Sequence, residues 1–133
     1  MEETGGLAYG PHLPFKDGFM AHLLVLEMLA QTGKTLSVLY QDLSKKYGKY
    51  YYDRVDFRCD SEEEIKQWLS VSLWEKCLSE KVVSHDELDG EKWYFESGSW
   101  VLIRRSKTEP LLRIYFESRN LKFVKKIKEL LNS

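Results

Sequence analysis

The densest concentration of anion-binding chemistry in the sequence is Arg104-Arg105-Ser106-Lys107-Thr108-Glu109-Pro110, followed by Arg113. Four cations, Arg104, Arg105, Lys107 and Arg113, fall within ten positions, with the hydroxyls of Ser106 and Thr108 among them. Those types suit a phosphate. Guanidinium groups grip its oxygens as forks. Hydroxyls and successive backbone N–H groups of a tight loop line a concavity for an anion. Pro110 restricts how the chain leaves the loop. Spacing alone leaves two readings open, a phosphate cradle and a solvated basic turn.

The remaining reactive side chains carry less. His12, His22 and His85 are far apart and have no ligand spacing, so they read as structural or surface histidines. Ser84-His85 reads as ordinary strand. Trp68, Trp74, Trp93 and Trp100 are spread over a predicted helix and two strands and read as core. Cys59 and Cys77 form no CxxC pair, which argues against a disulfide scaffold and against a zinc site. They read as small buried hydrophobes in a reducing compartment.

The elements that must hold the basic loop follow from periodicity. Residues 1–18 are punctuated by Gly5, Gly6, Gly10, Pro11, Pro14 and Gly18 and read as loop. Asp17 is placed to cap a helix from Phe19 to about Gln31, apolar nearly all round and therefore expected to be buried on most sides. Gly33 ends it, and Thr35 opens a second helix with Leu36, Leu39 and Leu43 at helical spacing, closed by Lys45, Lys46 and Gly48. Tyr50 to Cys59 then alternates, with Val55, Phe57 and Cys59 on one face. Ser61 with Glu64 makes a capping box, opening a helix whose inner face is Ile65, Trp68, Leu69 and Leu73 and which runs towards Leu78. Strand patterns follow at 81–85, 91–96, 99–104 and 111–118, with Asp89-Gly90 and Ser97-Gly98 as hairpin turns. Asn120 caps a last helix with Leu121, Val124, Ile127 and Leu131 inward. Its Lys122, Lys125, Lys126 and Lys128 fall on a solvated face.

The expected organisation is therefore two helices over residues 1–46, then an α+β domain over 47–133. In that domain an antiparallel sheet of four or more strands is packed by two helices. A chain of 133 residues buries enough surface to fold without staples. Twenty Lys plus Arg against twenty-one Asp plus Glu leave a net charge of −1, so no global field steers nucleic acid or an anionic membrane. The aromatic share of 14% is too rich for a disordered chain. The longest apolar stretch, 19–30, is too short to span a bilayer and follows no basic n-region. A soluble, cytoplasmic protein without nucleic-acid or membrane partners is expected.

Arg104-x-Ser106-x-Thr108-Glu109-Pro110 with Arg113 resembles the phosphate-binding loop of the α-D-phosphohexomutases (phosphoglucomutase/phosphomannomutase), usually Arg-Pro-Ser-Gly-Thr-Glu-Pro and then Arg. A second match is independent of it. Glu2-Glu3-Thr4-Gly5-Gly6 is similar to that family's sugar-recognition loop, typically Gly-Glu-x-Ser-Gly, and residues 12–18 resemble the His-Ile-Pro-Glu-Arg-Asp-Gly that often follows. The resemblance covers essentially the whole chain. It implies the tail of the family's third domain, with two helices and the sugar loop, followed by the complete fourth, phosphate-binding domain. Met1 stands where the sugar motif has glycine, so the resemblance places the start of this sequence inside that loop. The pattern Glu-Glu-Thr-Gly-Gly looks more like phosphoglucomutase or phosphoglucomutase/phosphomannomutase members than phosphoglucosamine mutases.

The resemblance implies roles. Arg104, Ser106, Lys107, Thr108 and Arg113 would hold the substrate phosphate, and Glu2 and Thr4 the sugar hydroxyls. Family members move a phosphoryl group between the 1- and 6-positions of a hexose phosphate through a bisphosphate, using a phosphoserine in the first domain and magnesium on an Asp-x-Asp-x-Asp in the second. No Asp-x-Asp-x-Asp occurs here, and the one Ser-His is Ser84-His85. No catalytic residue and no metal ligand is therefore assigned, and the chain alone is expected to be inactive. The implied partners are glucose or mannose phosphates and the remaining domains of a parent enzyme, with self-association through the 19–30 helix. Lys107 departs from the usual glycine or asparagine, either at a backbone cost or as an added phosphate contact. A stand-alone phosphate-ligand-binding or regulatory module is the alternative.

Overall fold

The structure is a computed structural model that describes residues 6–11, 15–59, 61–106 and 109–132. The chain divides into two compact units, Met1–Tyr47 and Gly48–Ser133.

The first unit carries α1 (Gly18–Thr32) and α2 (Leu36–Tyr47). The Asp17 carboxylate accepts from the amides of Phe19 and Met20 at 2.9 and 3.1 Å, satisfying two orphan donors of the first turn. Gly33 ends α1 in the left-handed conformation, φ 63°, donating to the Leu29 carbonyl. The expected burial of α1 is not found. None of its residues is buried, and Phe19 is 88%, Leu23 61% and Leu26 60% exposed. The physical reason lies within the unit: no strand occurs among its described residues, so no sheet of its own covers the helix.

The second unit contains β1 (Tyr51–Arg58), α3 (Glu62–Trp68), α4 (Val71–Leu78), β2 (Val82–Asp86), β3 (Glu91–Phe95), β4 (Trp100–Arg105), β5 (Leu111–Ser118) and α5 (Leu121–Leu131). The five strands form one sheet in the order β1-β5-β4-β3-β2, antiparallel throughout. The last strand in sequence thus lies between the first and the fourth. On β5 Leu112, Ile114 and Phe116 share one face and are fully buried, and Tyr115 between them is buried too. With Trp74, Phe95, Val101, Ile103 and Ile127 they make the core between the sheet and its helices. Each such side chain contributes about 1.5–3 kcal/mol by leaving water.

Two local expectations are corrected. The helix read as running from Ser61 to Leu78 is broken into α3 and α4 at Leu69-Ser70, where Ser70 is extended at φ −87°, ψ 119°. The break frees the Trp68 carbonyl to accept from the Trp74 indole N–H at 2.8 Å. That bond lets the largest core side chain bury completely without an orphaned donor. In α5, Leu121 points out and is 41% exposed, while Phe123 takes the inward place with Val124, Ile127 and Leu131. The Asn120 cap, which accepts from the Lys122 amide at 3.0 Å, sets that rotation. Lys128 of α5 reaches Asp53 of β1 at 2.6 Å and holds its carboxyl below the ordinary value.

The tryptophans divide. Trp74 and Trp93 are core, Trp68 is half-buried beside Trp74, and Trp100 is half-buried on the opposite sheet face with the Lys92 ammonium 4.2 Å from its ring. Cys59 is buried, Cys77 half-buried, and both are free thiols.

Candidate functional site

The basic segment is the β4–β5 hairpin. Register across it pairs Arg104 with Arg113 and Arg105 with Leu112, and Ser106 N–H donates to the Leu111 carbonyl at 2.9 Å to finish the ladder. The ladder therefore ends at Ser106 and Leu111. That end is pinned from a third strand, since the Cys59 amide just past β1 donates to the Pro110 carbonyl at 3.3 Å. Glu109 closes a further turn by accepting from the Leu111 amide at 2.8 Å.

Directly opposed residues share a sheet face. Arg104 and Arg113 both lie on the face away from the core, because Val101 and Ile103 on β4 and Leu112 and Ile114 on β5 take the buried positions. Two like charges directly opposite one another are destabilising by about 0.2–1 kcal/mol. The carboxylates around them compensate weakly. Arg104 Nη2 meets Asp89 at 3.2 Å, and Arg113 Nη2 meets Glu109 at only 4.0 Å. Asp56 stands opposite Arg113 on β1 but is taken by Arg54, whose Nε and Nη2 lie 2.9 and 3.1 Å from its two oxygens. The Nε–H of Arg113 is buried and has no hydrogen-bond partner.

Arg105 points the other way. It reaches over the end of the sheet to Glu62 in the first turn of α3, 2.5 Å away, and the pair is exposed. An exposed side chain is thus tied down by a long-range ion pair. Between the hairpin and α3 lies an open groove of about 230 Å³ whose lining includes Ser61, Glu62, Arg105, Ser106 and Glu109.

Of the residues expected to hold a phosphate, the structure brings Arg104, Ser106 and Arg113 to one sheet edge. Lys107 and Thr108 lie outside the described residues, as do Glu2 and Thr4. Two features escaped sequence reasoning. The Glu62 contact joins residues 43 apart and leaves no local signal. A cluster of His85, Glu87 and Glu91 at the β2–β3 hairpin was legible only as alternation across a turn. It combines an imidazole with two carboxylates, a donor set unlike the oxygen shell that magnesium prefers, and no Asp-x-Asp-x-Asp is present. Among the described residues, that cluster does not fit the magnesium implied for the family. No helix among the described residues is long and apolar enough to cross a membrane.

The fold and this edge define an α+β domain with a doubly cationic strand pair at the root of an exposed hairpin. Comparison with known proteins places it more narrowly. The model for phosphoglucomutase/phosphomannomutase, alpha/beta/alpha domain III, matches residues 1–47, and that for the phosphoglucomutase/phosphomannomutase C-terminal domain matches residues 57–132. A phosphoglucomutase/phosphomannomutase of Thermococcus kodakarensis is 31% identical over 119 residues, which is 90% of this chain and 24% of that protein. A phosphoglucosamine/phosphogalactosamine mutase of Sulfurisphaera tokodaii is 34% identical over 90% of this chain and 25% of its own length. A phosphoglucosamine mutase of Methanococcus maripaludis is 34% identical over 85% of this chain and 24% of its own length. The chain belongs to the phosphoglucomutase/phosphomannomutase family, and it spans about a quarter of the length of these relatives.

Proposed function

We propose that this chain supplies the phosphate grip of a hexose-phosphate mutase. Arg104, Ser106, Lys107, Thr108 and Arg113 hold the substrate's existing phosphate, and Glu2 and Thr4 receive the sugar hydroxyls. The carrying observation is the registered pair of Arg104 and Arg113, with the Arg113 Nε–H buried and awaiting an acceptor. A phosphate between them offers oxygens to both guanidinium forks and cancels the repulsion the sheet otherwise carries. The Ser106 hydroxyl and the loop amides complete the cradle. Such a grip works at a distance from the reacting end. It orients the hexose for phosphoryl transfer from a phosphoserine and does no bond-making itself. The whole protein would interconvert 1- and 6-phosphates of glucose or mannose through a bisphosphate, with magnesium and nucleophile on segments not in this sequence, in the cytoplasm. The mixed names of the relatives leave the hexose, or hexosamine, to experiment.

NMR titration of the full chain with inorganic phosphate and with glucose 1-phosphate tests the grip. The amides of 106–108 should shift saturably, and Arg104→Ala or Arg113→Ala should abolish the shifts; persistence in both variants refutes the assignment. The chain alone should give no glucose 6-phosphate from glucose 1-phosphate, and turnover by purified chain overturns that part. The exposed apolar stripe of α1, with Phe19, Leu23 and Leu26, pairs with a second copy when the chain is alone in solution. Sedimentation should show a concentration-dependent dimer that Leu23→Glu abolishes; a monomer at all concentrations refutes it.

A further inference from the structure

The hairpin joining β2 and β3 carries Asp86, Glu87, Asp89 and Glu91 within six positions. Asp86 is spent on the Leu88 amide at 2.8 Å and Asp89 on Arg104 at 3.2 Å. Glu87 and Glu91 converge instead on His85. Nε2 lies 2.6 Å from Glu91 Oε2, and Nδ1 lies 3.6 Å from Glu87 Oε1. The sheet places them so. His85 pairs across the strands with Trp93, and Glu91 lies two residues before Trp93 and so on the same face. The imidazole lies within 16° of parallel to the indole of Trp93, which is itself buried and fixes the ring's plane.

One imidazole does not balance this arrangement. A neutral ring donates to one carboxylate and turns a lone pair towards the other. A protonated ring serves both and still leaves a net charge of −1 across the three groups. A divalent cation cancels both carboxylates and leaves the ring neutral.

We propose that His85, Glu87 and Glu91 bind one divalent transition-metal ion of the zinc class, independently of the phosphate grip. One nitrogen and two carboxylate oxygens make a donor set that such ions favour, with a fourth position left to water. The ligand atoms already lie within 4.8 Å of one another. Tetrahedral coordination with bonds near 2.1 Å separates ligand atoms by about 3.4 Å. An ion on Nε2 needs the Glu91 contact to open slightly, and Glu87, which faces Nδ1 on the other edge of the ring, must swing round to it, as its 74% exposed side chain allows. A bound ion would tie the outermost strand of the sheet, β2, to its neighbour at the turn.

Titration of the full chain with zinc chloride, followed by calorimetry and by amide shifts, tests this, with nickel as a paramagnetic probe. One equivalent should bind, with shifts and nickel broadening centred on 85–91. His85→Ala and Glu91→Gln should each weaken binding by at least about tenfold, with amide spectra otherwise unchanged. Arg113→Ala, which tests the phosphate grip at a side chain paired with Glu109 rather than with the 85–91 hairpin, should leave zinc affinity unaltered. Absence of saturable shifts at 85–91 at millimolar zinc overturns the proposal. So does undiminished affinity in His85→Ala, including capture by Cys77 revealed by its loss in Cys77→Ser.

Discussion

Replacing Arg113 by methionine should stabilise the ligand-free chain while removing its response to phosphate. Three contributions set the magnitude. The buried Nε–H without a partner costs about 1–3 kcal/mol, and its removal recovers that. Relief of the directly opposed Arg104 adds about 0.2–1 kcal/mol. The Glu109 contact that is lost, at 4.0 Å between exposed groups, is worth close to nothing. Methionine keeps an unbranched apolar stem of similar reach over the sheet. The net expectation is a gain of about 1–4 kcal/mol without ligand. Wild type at phosphate tenfold above its Kd should gain about 1.4 kcal/mol, and the variant should gain only the general stabilisation that phosphate salts confer. Urea unfolding followed by fluorescence of the buried Trp74 and Trp93 measures all four stabilities. A variant less stable than wild type in the absence of phosphate, or one that keeps the full phosphate-induced gain, refutes the reasoning.

Gly90→Ala should cost about 2–4 kcal/mol. Its φ is +116°, and a Cβ there runs into the Ile103 carbonyl of β4. Gly98→Ala, at φ +78° but facing open space, should cost only about 1–2 kcal/mol; equal losses in thermal melts would contradict the steric argument. Ile127→Ala should cost about 2–5 kcal/mol and Leu121→Ala under about 0.5, which chemical denaturation would separate. Because Lys128 holds the Asp53 carboxyl below its ordinary value of 3.8, the unfolded chain takes up that proton first as pH falls. The pair then stabilises fully above that ordinary value and is lost as pH drops through the lower, folded-state one. Exposure limits it to under about 1 kcal/mol. Lys128→Met should be slightly less stable than wild type at neutral pH and converge with it in strong acid, as stability–pH curves would show.

Most of the α+β unit was legible because its signals are local. Val55 and Phe57, the capping serine and asparagine, and glycines at the hairpin turns each act within a few residues. Ser61 Oγ accepts the Glu64 amide at 3.1 Å as the capping pattern requires. The misreadings share a cause. Helical periodicity runs unbroken through Leu69-Ser70, and the gain that breaks it, the indole of Trp74 on the Trp68 carbonyl, appears only once the core has formed. Leu121 matches the helical stripe in sequence, but the cap geometry turns the first residue outward. Apolar α1 was read as buried because composition states a demand for cover without saying what meets it.

The sequence by itself determined most of the elements and the family, and singled out the side chains proposed to hold an anion, because those follow from residue type and short-range spacing. Only the tertiary structure decided what those side chains face. The register of β4 against β5 put Arg104 opposite Arg113 and turned Arg105 to Glu62, and the strand order placed β1 beside β5 so that Asp56, already paired with Arg54 on its own strand, stands opposite Arg113. Register is set by which residues the core buries, and a slip of one residue would exchange every partner. A sequence names the charges; the sheet decides which of them oppose.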